Sequence, residues 1–133
     1  MADYDYKAGK QRLEEILDND MEIVEQDKLP NDDDFTFTNG YYSWVSAIFV
    51  DMRDSTELCA DEDKEKLAKV FRSFSSEIIE ILRDDDNLRE IGIRGDCVYA
   101  VYTNPKQADV FETANKCFYV NTFMKMLNQL FRE

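Results

Sequence analysis

The sequence predicts an α+β domain, and three observations carry that prediction. A nearly unbroken apolar run from Trp44 to Val50 reads as a central buried strand, closed by Asp51. Two long stretches, Asp61 to Leu82 and Gln107 to Phe131, place apolar residues at helical spacing. Between them lie two further strand-like runs joined by Gly95-Asp96, a hairpin signal.

Taken in chain order, Leu13, Ile16, Leu17, Met21 and Val24 recur at helical spacing among charges, which predicts one amphipathic helix over about residues 8–25. The proline and charge run of Lys28-Leu29-Pro30-Asn31-Asp32-Asp33-Asp34 predicts a loop. Its acidic triplet reads as solvated surface, because adjacent carboxylates point apart unless a turn folds them together. Asn39-Gly40 predicts a turn in the polar-aromatic segment before the first strand.

The helix after that strand starts among Asp61, Glu62 and Asp63, where acids suit the helix dipole. Its apolar set is Leu67, Val70, Phe71, Phe74, Ile78, Ile81 and Leu82, and Asp84-Asp85-Asp86-Asn87 ends it as a turn. Leu88 to Arg94 and Cys97 to Tyr102 form the hairpin, and Asn104-Pro105 stops its second strand. The last helix carries Val110, Phe111, Ala114, Cys117, Phe118, Met124, Leu127 and Phe131, assigned to one face.

The order β-α-β-β-α is that of a ferredoxin-like half-sandwich with an N-terminal helix and without its final strand. It divides the chain into a helix and acidic linker over 1–34 and the sandwich over 35–133. An uncovered first strand is a liability. The N-terminal segment or a second chain covers it, or the chain is a piece of a longer domain, which is the expectation adopted here.

A hydrophobic fraction of 44% and an aromatic fraction of 13% suit a packed core and argue against disorder. Twenty-nine acidic against 16 basic residues give a net charge of −13. That excludes non-specific nucleic-acid binding, which needs a basic surface, and disfavours anionic lipid. A nucleotide stays within reach, because a metal ion and a few local donors set the field at such a site. No apolar run reaches the roughly 18 residues of a membrane span. Met1 to Tyr6 carries no secretion signal, so a cytoplasmic protein is expected. With no histidine and no CxxC spacing, Cys59, Cys97 and Cys117 read as reduced, mostly buried thiols rather than zinc ligands.

The chemistry points to Asp51 and Asp96. In an antiparallel sheet the first and third strands are neighbours, which brings a strand-end carboxylate to the hairpin carboxylate. Together with triphosphate oxygens and the Met52 carbonyl, the pair suits one or two Mg²⁺ or Mn²⁺ ions. Such ions activate a hydroxyl nucleophile and stabilise a leaving pyrophosphate. The turn from Met52 to Thr56 leads into a helix whose unpaired N–H groups suit a phosphate. The plainer alternatives are that Ser55 or Thr56 merely caps, that Asp51 caps and that Asp96 only shapes the hairpin.

Asp51-Met52-Arg53-Asp54-Ser55-Thr56, followed by Arg94-Gly95-Asp96-Cys97-Val98-Tyr99-Ala100-Val101-Tyr102, resembles the catalytic domain of class III nucleotidyl cyclases, over roughly Trp44 to Phe131. The resemblance implies that Asp51 and Asp96 are catalytic and hold two metal ions, with Met52 lending its carbonyl. It implies that Arg53, Asp54, Ser55 and Thr56 hold the triphosphate while the ribose 3′-hydroxyl attacks the α-phosphorus. It also implies a head-to-tail homodimer with shared sites.

Asp54 stands where the family usually has glycine, and Gly92 where purine cyclases commonly carry a base-reading lysine. Glu90 to Tyr99, with Tyr41-Tyr42-Ser43-Trp44, is similar to the pyrimidine cyclases of bacterial anti-phage defence, which make cyclic UMP or cyclic CMP. That similarity implies UTP or CTP as substrate and Arg94, Tyr42 and Trp44 as base contacts. Arg94 also reads as a surface residue paired with Glu90 or Asp109. An adenylyl or guanylyl cyclase, and a catalytically silent association module of the same fold, remain as alternatives. The Gly-Gly-Asp/Glu-Glu-Phe hairpin of diguanylate cyclases is not in the sequence. No segment matches the arginine and asparagine that the family places after its final strand, so this chain alone is expected to bind nucleotide weakly and turn over poorly.

Overall fold

Asp5 starts helix α1 (Tyr6–Asp18), its carboxylate accepting the backbone N–H groups of Lys7 at 3.0 Å and Ala8 at 3.1 Å. The computed structural model describes residues 3–36, 38–61 and 63–132, without the side chains of Leu58 and Asp61. Helix α1 stops at Asn19, well short of the expected end. Met21 and Val24 lie beyond it, and Val24 belongs to strand β1 (Glu22–Glu25). The β-branched pair Ile23-Val24 favours extended backbone. That preference is realised by parallel pairing with β2 (Asn39–Tyr42), Glu22 opposite Asn39 and Glu25 opposite Tyr42.

Asn39-Gly40 therefore opens a strand and is not a turn, because the ladder to β1 takes up backbone groups that a turn would leave to solvent. Asp32–Asp34 form an exposed 3-10 turn, with the Asp34 carboxylate accepting the Asn31 N–H at 3.2 Å. Contacts divide the chain into two units, Met1–Ser43 and Trp44–Glu133. The division falls after Ser43, whereas composition placed it after Asp34, since β2 is tied to β1.

The second unit has the β-α-β-β-α order, with its first helix entered in two pieces. Strand β3 (Val45–Asp51) leads to a short helix α2 (Ser55–Asp61) and then to α3 (Lys64–Arg83). Asp63 caps α3 by accepting the Glu65 N–H at 2.8 Å. Glu62, expected near this start, lies outside the described residues. Strands β4 (Leu88–Arg94) and β5 (Cys97–Thr103) form the hairpin, and α4 (Gln107–Arg132) closes the unit. The sheet order is β3-β5-β4, antiparallel throughout, so the third strand of the unit fills the slot between the first two.

One face of the sheet meets the helices. Ile48, Val98, Ala100 and Tyr102 pack against Phe74, Ile78 and Leu82 of α3 and Val120, Phe123 and Leu127 of α4. Helix α3 buries the stripe its periodicity predicts. Helix α4 does not: Val110, Phe111 and Phe118 are exposed, and the buried line is Thr113, Lys116, Val120, Phe123 and Leu127. Apolar residues surround this helix on all sides, so periodicity cannot choose its inner face.

Polar pairing makes that choice. Lys116 Nζ lies 2.8 Å from Asp85 Oδ2 and 5.5 Å from the centre of the Tyr102 ring. Tyr102 Oη donates to the Leu82 carbonyl at 2.5 Å, and burial, followed by the Asp85 charge, raises its pKa far above the usual phenol value. Thr113 and Asn104 hydrogen-bond to one another beside them. Cys59 and Cys117 are exposed free thiols and Cys97 is half-buried, which corrects the expectation of mostly buried sulfur. Among the described residues no helix is long and apolar enough to cross a membrane.

Candidate active site

Strand register brings the two aspartates to one end of the sheet. Asp51 ends β3 opposite Cys97, the first residue of β5, and Asp96 immediately precedes that residue in the hairpin turn. The Met52 N–H donates to the Asp96 carbonyl at 3.3 Å, which fastens the end of β3 to the turn. Arg94 and Cys97 close the hairpin, leaving Gly95-Asp96 as its two loop residues. Gly95 takes φ 63°, the left-handed conformation that glycine adopts without steric cost.

After Asp51 the chain reverses through Asp54, at φ 58° the described non-glycine residue with positive φ. An aspartate tolerates this region better than most side chains, so the turn that glycine would favour is kept with a carboxylate on it. The reversal returns Ser55 to the hairpin, where its hydroxyl donates to Asp96 Oδ2. That bond, then the Asp96 backbone N–H, holds the Asp96 carboxyl below the usual carboxylate range against a small opposing effect of burial, with a lesser contribution from Asp51. The neighbouring Cys97 thiol is pushed up, mainly by burial and then by the charges of Asp51 and Asp96.

Ser55→Ala is expected to raise the Asp96 pKa toward the ordinary carboxylate value, readable by side-chain carboxyl NMR titration. The sign follows from linkage: a depressed folded-state pKa contributes stability above the unfolded-state value, lost as pH falls through the depressed one. The variant should therefore lose the upward slope of stability at the acid end. An unmoved Asp96 titration would refute the pairing.

The donor set is hard oxygen at a solvent-accessible edge, which fits Mg²⁺ or Mn²⁺. Among the described residues no group of three or more His, Cys, Asp or Glu stands together to hold a metal by itself. A cation here would complete its shell from the Met52 carbonyl and from ligand oxygens. Met52 is half-buried against the core, while Arg53, Asp54 and Thr56 are exposed around the turn. The turn from Met52 to Thr56, expected to hold phosphate at a strand-turn-helix junction, leads into the seven-residue α2 and not directly into α3.

The base contacts are placed differently from one another. Arg94 faces the same side of the sheet as Asp51, with Cys97 between them. Of the two acids expected beside it on the surface, Glu90 accepts the Tyr99 hydroxyl at 2.7 Å and Asp109 accepts the Lys106 N–H at 3.0 Å. Trp44 precedes β3 at the far end from Asp51, roughly 20 Å along the strand at the usual rise per residue. Tyr42 belongs to the first unit. Within one chain the structure does not bring Trp44 to the carboxylates.

Periodicity along β5 overlooked one group. Tyr99, Phe49, Gly92 and Glu90 share the sheet face opposite the helices, directly beside the Asp51–Cys97–Arg94 row. The signal was present, because a two-residue hairpin loop fixes Gly92 opposite Tyr99 by counting. Hydrogen bonding to Glu90, then its charge, pushes the Tyr99 phenol up from its usual value.

A strand-end aspartate beside a hairpin aspartate, on a β-α-β-β-α sheet, is the arrangement that the resemblance to class III nucleotidyl cyclases implies. The fold matches the crystal structure of the adenylyl cyclase CyaB from P. aeruginosa with a TM-score of 0.58, at 24% identity over 66% of this chain and 46% of that one. In sequence the chain is similar to a uridylate cyclase of Treponema porcinum, 54% identical over 96% of this chain and 44% of the relative. It is also similar to a uridylate cyclase of Gulbenkiania mobilis, 32% identical over 98% of this chain and 52% of the relative. The chain spans about half the length of these curated relatives. No protein-family profile matches it. The fold is thus shared with an adenylyl cyclase, and the sequence similarity is to proteins named uridylate cyclases, both in keeping with the resemblance to nucleotidyl cyclases.

Proposed function

We propose that this chain carries the metal-binding part of a nucleotidyl cyclase that converts UTP, or secondarily CTP, to a 3′,5′-cyclic mononucleotide and pyrophosphate. The observation that carries the reading is the juxtaposition of Asp51 and Asp96 at one end of the sheet, with the Ser55 hydroxyl bound to Asp96. Relatives named uridylate cyclases support the substrate.

In this reading Asp51, Asp96 and the Met52 carbonyl hold two Mg²⁺ or Mn²⁺ ions. When bound, the ions supply a lowered pKa at the ribose 3′-hydroxyl and charge neutralisation at the leaving group. The 3′-hydroxyl passes its proton to solvent water and its oxygen bonds to the α-phosphorus as the bond to pyrophosphate breaks, with inversion in line. Arg53 and Thr56 orient the β- and γ-phosphates through backbone and side-chain donors and Ser55 through its backbone N–H, its hydroxyl being engaged by Asp96, and Asp54 limits how tightly they are held. Arg94 and Tyr42 contact the base, and Trp44, at the other end of β3 from Asp51, contributes across a head-to-tail homodimer. Use of the cyclic product as an anti-phage second messenger in the cytoplasm belongs to the same proposal.

The test is differential scanning fluorimetry of this chain with each of the four NTPs, in EDTA and in Mn²⁺. A ligand at 100-fold its Kd stabilises the fold by about 2.7 kcal/mol. UTP should raise the melting temperature only with metal, CTP less, and the purines least. A chain that ignores all four in Mn²⁺ is the silent association module instead.

A further inference from the structure

Gly92 holds the position where a purine cyclase carries a base-reading lysine, and Tyr99 fills the space a side chain there would need. A Cβ on Gly92 would stand 2.8 Å from Tyr99 Oη and 3.0 Å from two of its ring carbons. The pair is directly opposed in the β4–β5 ladder. Tyr99 is held from two sides: its hydroxyl donates to Glu90 Oε1 at 2.7 Å, and its ring stacks on Phe49 with centroids 6.1 Å apart and planes 24° from parallel.

This reverses the polarity of the position. A lysine offers donors and no acceptor, so it reads an acceptor on the base. The phenol has given its one proton to Glu90, so toward a ligand it offers lone pairs. Arg94, two residues further along β4 on the same face, offers donors alone. Acceptor and donor thus lie on one face of the sheet, Arg94 in the row that carries Asp51 and the Tyr99 hydroxyl one step further from it, over Gly92 and turned toward Glu90.

We propose that Tyr99, oriented by Glu90, is the specificity-determining residue of the site: its phenol oxygen accepts the N3–H of uracil, and its ring occupies the space a purine would need. The inference rests on the cyclase reading above and deepens it. Cytosine presents a lone pair at N3, which would meet the phenol acceptor to acceptor and leave both unpaired.

The test is calorimetric titration of UTP, CTP and ATP in Mn²⁺ into the parent chain, Tyr99→Phe and Tyr99→Ala, with circular dichroism showing that each variant is folded. One hydrogen bond corresponds to a UTP-over-CTP preference of about five- to tenfold. Tyr99→Phe keeps the ring and should bring that preference close to unity while ATP stays excluded. Tyr99→Ala should in addition admit ATP. A parent that binds UTP and CTP equally, or a Tyr99→Phe that keeps the preference, overturns the assignment and leaves the cyclase reading standing. A parent that binds no nucleotide in Mn²⁺ overturns both.

Discussion

Asp85→Ala is expected to destabilise the second unit by about 3–5 kcal/mol, the usual cost of leaving one partner of a buried ion pair without the other. The side chains of Lys116 and Asp85 are 11% and 9% exposed at a separation of 2.8 Å, so neither charge is relieved by water once its partner is gone. Asp85 also fixes the chain reversal between α3 and β4, its carboxylate accepting the Asn87 N–H at 2.8 Å. Against a total stability of about 5–15 kcal/mol for a domain of this size, the loss is a large fraction.

The comparison that separates pairing from packing is the double variant Asp85→Leu with Lys116→Met. Replacing both charges by apolar groups of similar volume is often neutral or stabilising. Urea unfolding of the parent, both single variants and the double should show the double far less damaged than the singles predict by addition. A cost below about 1 kcal/mol for Asp85→Ala would show that the pair is solvated, contrary to the burial described here.

The second large effect lies at the carboxylates. Asp51→Asn and Asp96→Asn should each abolish the metal-dependent rise in melting temperature caused by UTP. The asparagine keeps the size of the side chain and an oxygen that can accept the Ser55 hydroxyl, but removes the charge that makes the site a cation ligand. The parent should gain several degrees, since about 1 kcal/mol is worth roughly 2–8 °C in a domain of this size. Glu77→Gln, on the exposed side of α3, should behave as the parent does. A UTP shift that survives in Asp51→Asn would dismiss Asp51 as a ligand.

Much of this geometry was open to inspection in the chain itself. The run Ile48-Phe49-Val50-Asp51 marks one strand, and the Gly95-Asp96 loop marks the hairpin and the register of its two strands, because a two-residue hairpin leaves no freedom in that pairing. Asp51 and Asp96 followed from that. The N-terminal segment misled for a physical reason: Leu13, Ile16, Leu17, Met21 and Val24 satisfy a helical period, yet β1 exists through pairing with residues 39–42, and local periodicity is blind to such partners. Helix α4 misled because apolar residues occupy its whole circumference, and a buried lysine sets its inner face.

Sequence alone was enough for the fold class and the hairpin, which depend on period, turn chemistry and loop length, all local properties of a chain, and the β-α-β-β-α order then places Asp51 and Asp96 at one end of the sheet. Which of Asp84, Asp85 and Asp86 is buried, why Lys116 faces the core, how Ser55 reaches Asp96 and how Tyr99 fills the space over Gly92 were decided only in three dimensions. Each of these depends on side chains from separate elements meeting in low-dielectric surroundings, where the energy of a contact is set by what surrounds it rather than by the residue that makes it.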